Sequence, residues 1–133
     1  TAVDDGTMDR EVEAILMAPS NPYLSVDPIL AVPEIRSALE RCTAPVVAVS
    51  PIVGGQAVKG PTAKLMAELG VPISPAAVAA HYAGLIDAML VDIRDDAVVP
   101  GIETRATDTL MIDLADRVRV ASDVLTLARD LSR

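Results

Sequence analysis

Short β-branched apolar runs alternate along this chain with helical patterns opened by proline, and that alternation limits the folds open to it. Ala14–Ala18, Ala44–Ser50 and Ile86–Ile93 are three such runs, and Glu103–Thr107 is a weaker fourth. Runs this short fit buried strands. Between them lie segments with helical spacing. Pro33-Glu34 opens one, with Pro in the first turn and an acid near the positive end of the helix dipole. Ile35, Ala38 and Leu39 share its apolar face, Arg36 and Glu40 are spaced i, i+4 on the other side, and Pro45 bars continuation. A second helix is predicted from Pro61 to Gly70. A third is predicted with Ser74 as its cap and Pro75 in its first turn, running toward Gly84. The last and longest takes Asp113 as its cap and places Leu114, Val118, Ala121, Leu125 and Ala128 at core-facing period.

Strands alternating with helices imply a parallel sheet joined by right-handed crossovers. The expected class is therefore α/β, a Rossmann-like three-layer domain with a mainly parallel sheet. The 133 residues contain no repeat, low-complexity tract or clear linker, and suit one domain or a piece of one. Half the chain (51%) is apolar, which excludes disorder for most of it, but its only aromatic residues are two Tyr, so the core must come from Val, Leu, Ile, Met and Ala. With 19 acidic and 11 basic side chains the net charge is −8, which argues against an open nucleic-acid surface. No run of eighteen apolar residues is free of charge or Pro, so no membrane span is expected. The polar, acidic stretch Thr1–Glu13 does not read as a secretory signal. A single cysteine, Cys42, cannot form an internal disulfide or a Cys-rich zinc cluster, so a cytoplasmic protein is expected, with Cys42 a small buried residue.

In open α/β sheets, ligands bind beyond the carboxyl ends of the strands. Two loops there, Pro19–Pro28 and Pro51–Pro61, exceed the ~2–6 residues that a strand-to-helix connection needs. The second loop is the more informative. Gly54-Gly55 allows close backbone approach, Gly60 precedes a helix start, and Lys59 and Lys64 are the only lysines in the chain. Together they suggest a phosphate or diphosphate site, although Gly-Gly also makes plain turns and Lys64 alone reads as a solvated helix residue. Gly55 and Gly60 have Walker A spacing, but Pro61-Thr62 stands where Lys-Ser/Thr is needed, and no G-x-G-x-x-G occurs. In the first loop, Ser20, Asn21 and Ser25 could read a base edge or hold a phosphate oxygen, but composition alone favours turn chemistry. His81 has no second His or Cys at ligand spacing and reads as packing or hydrogen-bonding on its own helix. Asp95-Asp96, Asp108, Asp113 and Asp116 read as solvated faces or caps.

Several motifs in order carry a resemblance: Ser20-Asn21-Pro22, Ser25-Val26-Asp27-Pro28-Ile29-Leu30, Val49-Ser50-Pro51-Ile52-Val53-Gly54-Gly55, Lys59-Gly60-Pro61, Lys64-Leu65-Met66, His81-Tyr82 and Asp108-Thr109-Leu110-Met111. In these the chain resembles the 2-phospho-L-lactate transferase family (CofD, called FbiA in actinobacteria) over nearly its whole length. Family members are longer, and residues 1–133 are similar to the C-terminal portion of a single α/β domain, so the resemblance implies a domain incomplete at its N-terminal side. It implies a phosphotransferase of coenzyme F-420 biosynthesis. The donor would be a guanosine diphosphate-linked phospholactate or its enolpyruvyl phosphate counterpart, the acceptor the deazaflavin Fo, and GMP the leaving group. It also implies magnesium, held by residues outside this portion, and a homodimer. Matching motif to motif, Ser20, Asn21 and Ser25 would serve the nucleotide part of the donor. Gly54, Gly55, Lys59 and Gly60 would serve its phosphates, with Lys64 a lesser candidate. No catalytic acid, base or metal ligand is assigned.

Two other readings stay open. A non-catalytic nucleotide-sugar-binding regulator would share the architecture and the first-loop motif, but the Gly54-Gly55 and Lys59-Gly60-Pro61 loop looks transferase-like. The chain could also be an interaction or packing half whose site is shared with another segment.

Overall fold

The computed structural model describes residues 12–57, 61–95 and 99–131. In chain order, strand β1 (Ile15–Met17) leads through a π-helical turn (Pro22–Val26) into helix α1 (Asp27–Leu30) and helix α2 (Pro33–Arg41). Strand β2 (Val46–Val49) is followed by the short strands β3 (Ile52–Val53) and β4 (Gln56–Ala57), then helices α3 (Thr62–Glu68) and α4 (Pro75–His81). Strands β5 (Ala88–Asp92) and β6 (Glu103–Thr107) precede the long helix α5 (Leu114–Leu131).

Four strands form one sheet in the order β1-β2-β5-β6, with every pairing parallel, as expected for the α/β class. Leu16 lies beside Val47, Val49 beside Leu90, and Asp92 beside Thr107. The four predicted apolar runs are these four strands. β2 and β5 are buried throughout, as befits central parallel strands covered on both faces.

One face packs Val46, Ala48, Met89 and Val91 against Ile52, Met66, Val78 and Tyr82 from the hairpin and helices α3 and α4. The other packs Val47, Val49, Ala88 and Leu90 against Val120, Val124, Leu127 and Ala128 of α5. Helix α5 contacts β2, β5 and β6, and Leu16 on β1 is left 41% exposed on that face.

The phase of α5 differs from expectation. Leu114, Val118 and Leu125 are 70%, 60% and 40% exposed, and Ala121 is exposed too. Only Ala128 of the expected set turns inward. Helix α5 carries apolar residues on two arcs, and periodicity alone does not say which one meets the sheet. The arc Val120, Val124, Leu127, Ala128 does so, at i, i+4, i+7, i+8 spacing.

The other helices follow the proline signals closely. Ser74 Oγ accepts from Ala77 N at 3.2 Å, capping α4. Pro61 stands just before α3 rather than inside it. Cys42 is half-buried at the end of α2, not buried, because the strand it leads to begins only at Val46. Both long loops hold structure of their own, the π-helical turn with α1 in the first and the β3–β4 hairpin in the second.

Candidate functional site

Parallel pairing of β1 and β2 brings both loops out at the same edge of the sheet. A cavity of about 180 Å³ opens there, lined by Pro19 and Asn21 after β1, Ser50, Pro51 and Val53 after β2, and Thr62 at the start of α3. Thr109 and Met111, between β6 and α5, and Arg117, in the first turns of α5, close it. It is smaller than the ~300–1,000 Å³ that encloses a drug-sized ligand, so it can seat one group of a larger molecule.

The expected site residues are not gathered into one place. Asn21 lines the cavity, whereas Ser20 and Ser25 line a separate apolar groove with Leu16, Ile29 and Leu39. Asn21 Oδ1 caps the π-helical turn, accepting from Tyr23 N at 2.9 Å and Leu24 N at 3.1 Å. Its Nδ2 is buried and has no hydrogen-bond partner among the described residues. Gly54 and Gly55 form the β3–β4 turn with φ of +60° and +75°, a conformation that glycine adopts without strain. Their N–H groups are engaged from within, donating to Asp95 Oδ2 at 3.0 Å and Oδ1 at 2.6 Å. Lys64 is 79% exposed, lies 4.0 Å from Glu68 and does not line the cavity. Lys59 and Gly60 lie outside the described residues.

Sequence reasoning singled out neither Ser50, Thr62, Thr109 nor Arg117. Ser50 and Thr109 were within reach, since both fall inside the motifs that carry the resemblance. Ser50 is 1% exposed, and its Oγ accepts from Ile52 N at 3.2 Å, starting the hairpin. Arg117 had a weaker signal, as a cation in the first turns of a helix, where the dipole favours anions.

The wall carrying Thr109 and Met111 is fixed by a charged network. Asp92, at the end of β5, is fully buried and accepts from Arg94 N at 2.8 Å, Thr109 N at 2.9 Å and Thr109 Oγ1 at 3.1 Å. Arg94 Nη1 lies 2.9 Å from Asp92 Oδ2 and 3.0 Å from Asp108 Oδ1. Burial pushes the Asp92 carboxyl up, but the hydrogen bonds from Arg94 and Thr109 outweigh it and hold the group below its ordinary range. The Arg94 guanidinium likewise lowers Asp108. Arg119 Nη2 donates to the carbonyls of Asp108 at 2.9 Å and Leu110 at 3.2 Å, so residues 108–110 are tied down from both sides.

Asp113 and Asp116 do act as caps. Asp113 Oδ1 accepts from Asp116 N at 2.9 Å, and Asp116 Oδ2 accepts in return from Asp113 N at 3.4 Å and from Ile112 N at 2.9 Å, a reciprocal capping box. The Ile112 N–H and the Arg119 guanidinium pull the Asp116 carboxyl down to about 2. His81 reaches beyond its own helix, with Nε2 2.7 Å from Asp27 Oδ1 and its ring 4.6 Å from that of Tyr23, pinning α1 to α4. Burial, then the nearby Asp27 charge, raises the Tyr82 phenol well above its ordinary value, so it stays neutral. Among the described residues no group of three or more His, Cys, Asp or Glu side chains is arranged to hold a metal, and no helix is long and apolar enough to cross a membrane.

Comparison with known proteins bears on what this edge serves. The family model described as 2-phospho-L-lactate transferase CofD matches residues 10–128. Phosphoenolpyruvate transferase of Streptomyces coelicolor is 45% identical over 127 residues, covering 91% of this chain and 40% of that protein. The enzymes of the same name from Mycobacterium avium and Nocardia farcinica are 39% identical over 123 residues and 37% over 124, covering 89% and 90% of this chain and 36% and 37% of theirs. The chain thus spans about two fifths of the length of the curated relatives it matches.

Proposed function

Because this chain belongs to the 2-phospho-L-lactate transferase CofD family, we propose that it forms part of a transferase of coenzyme F-420 biosynthesis. The family match over residues 10–128 is the observation that carries the reading. The enzyme would move an enolpyruvyl phosphate or 2-phospholactyl group from a guanosine diphosphate-linked donor to the ribityl hydroxyl of the deazaflavin Fo. The relatives' shared name, phosphoenolpyruvate transferase, favours the enolpyruvyl donor.

In this reaction the acceptor hydroxyl oxygen forms a bond to the phosphorus bearing the enolpyruvyl or lactyl group. The bond from that phosphorus to the oxygen of GMP breaks, GMP leaves with the electron pair, and the hydroxyl proton is lost. Charge builds on phosphoryl oxygens, so fixed donors contribute most where they are preorganised. This chain's part is to bind and orient the donor at the carboxyl edge of the sheet, with Asn21 at the cavity and, by the motif match alone, Lys59 and Gly60 serving the phosphates. Magnesium does not fit the described residues. Among the described residues the cavity lining has no carboxylate, and both Asp92 oxygens are already engaged. No step is therefore drawn through a metal held here. A homodimer in the cytoplasm belongs to the same reading.

The test is turnover by the intact protein supplied with Fo, magnesium and each guanosine diphosphate-linked donor, following GMP release and a phosphorylated deazaflavin product. Product with the enolpyruvyl donor is expected. Absence of product with either donor, with nucleotide still bound, would overturn the reading in favour of a nucleotide-sugar-binding regulator.

A further inference from the structure

The aromatic rings of this chain gather at one place. It has two tyrosines, one histidine and no Phe or Trp, and the three rings pack in a row. The His81 ring lies 4.6 Å from that of Tyr23 and 5.5 Å from that of Tyr82, T-shaped with both. Tyr82 is buried in the core with Val78 and Ala79 of α4, so His81 is carried by a fixed helix end. Tyr23 belongs to the first loop. In a protein whose core is otherwise aliphatic, the rings serve a single joint, between α4 and the turn that follows β1.

That joint carries one hydrogen bond, with His81 Nε2 2.7 Å from Asp27 Oδ1. Among the described residues, every other hydrogen bond of residues 20–31 stays within residues 18–32. Those local bonds form a relay. Asp27 N donates to Pro22 O, and Ser25 N and Val26 N donate to Asn21 O at 3.0 and 3.2 Å. Fixing Asp27 therefore fixes the rotation of the π-helical turn, and with it Asn21 at the wall of the cavity. The Asp27 and His81 side chains are 43% and 25% exposed. A pair this open to water adds little to global stability, so its effect lies in where the turn sits.

We propose that His81 is a positioning residue for the first loop, acting through Asp27, and that the protein's affinity for the nucleotide part of the donor depends on it. His81 lines neither the cavity nor the apolar groove, so it acts on the loop rather than on the ligand. That the loop meets the donor rests on the transferase reading; that His81 holds the loop does not. A loop set in its binding geometry beforehand spares the ligand the cost of arranging it. Loss of that setting raises the donor KM while the transfer step keeps its rate.

The test varies the guanosine diphosphate-linked donor at saturating Fo, with the intact protein and the variants His81→Ala, His81→Phe, His81→Gln and Asp27→Ala. Phe keeps a ring between the two tyrosines without a hydrogen-bond donor. Gln keeps an N–H donor for Asp27 without the ring. Hydrogen exchange of the amides of residues 22–27 is followed in the same proteins. Loss of the hydrogen bond predicts a donor KM raised about fivefold or more in His81→Ala, His81→Phe and Asp27→Ala, with kcat within about twofold of wild type. The amides should exchange faster in these three, and His81→Gln should restore both readouts. Combining His81→Ala with Asp27→Ala should add nothing to either alone, since one interaction is removed in each case. Unchanged KM with unchanged exchange would overturn the proposal. So would a fall in kcat and melting temperature at constant KM, the mark of a contact that only supports the fold. A raised KM with unchanged exchange would overturn it too, because His81 would then touch the donor itself, and so would rescue by Phe but not by Gln. Absence of wild-type turnover with either donor removes the transferase reading alone, and exchange in the variants still decides whether His81 holds the turn.

Discussion

The Asp95 carboxylate bridges the two backbone N–H groups of the β3–β4 turn, 2.6 Å from Gly55 N and 3.0 Å from Gly54 N. Two successive N–H groups converging on one point form a small anion-binding concavity. The chain fills it with its own side chain, tying the hairpin to the segment after β5. Replacing Asp95 with Ala should lower stability by about 1 kcal/mol, at the low end for charged hydrogen bonds because the site is exposed. Urea denaturation measures this, and an unchanged midpoint would show that the bridge contributes nothing in solution.

Asp92 should be far less tolerant. Asp92→Asn keeps the shape but turns an amide donor toward the N–H groups of Arg94 and Thr109. A cost of about 3 kcal/mol is expected, from buried donors left unmade. Equilibrium unfolding would register it, and a loss under about 1 kcal/mol would mean that the network relaxes around the amide.

The phase of α5 can be tested with two leucines two residues apart. Leu127 is fully buried against the sheet and Leu125 is 40% exposed. Leu127→Ala should cost about 2–5 kcal/mol through the cavity it leaves. Leu125→Ala should fall within about 0.5 kcal/mol of wild type. The reverse order would restore the inward face expected from periodicity.

Acid should weaken the start of α5. The Asp116 carboxyl titrates at about 2 in the folded chain against an ordinary 3.8. A depressed value contributes stability above 3.8 that disappears as pH falls through 2. Asp116→Asn should therefore lose stability at neutral pH and show a shallower decline between pH 4 and 2 than the parent. Parallel slopes for the two proteins would remove Asp116 as a source of acid sensitivity.

Much of the fold was legible because local signals and the global arrangement agree. Pro33, Ser74 with Pro75, and the β-branched runs each mark an element boundary by sterics or hydrogen-bond supply alone. The inward face of α5 was not legible, since Leu114, Val118 and Leu125 repeat as regularly as Val120, Val124 and Leu127. The site was legible in part. The two long loops do flank one cavity, and Asn21 is in it. The engagement of Gly54 and Gly55 by Asp95 joins residues forty apart in sequence and leaves no local trace. Arg117 was missed for a similar reason, because the cavity it lines is completed by residues from the other end of the chain.

The amide of Asn21 has one further consequence. A free asparagine side chain rotates, and exchanges donor for acceptor by turning over. Here the two N–H groups of the π-helical turn accept only one orientation, so the ordering entropy of the side chain is lost during folding rather than at binding.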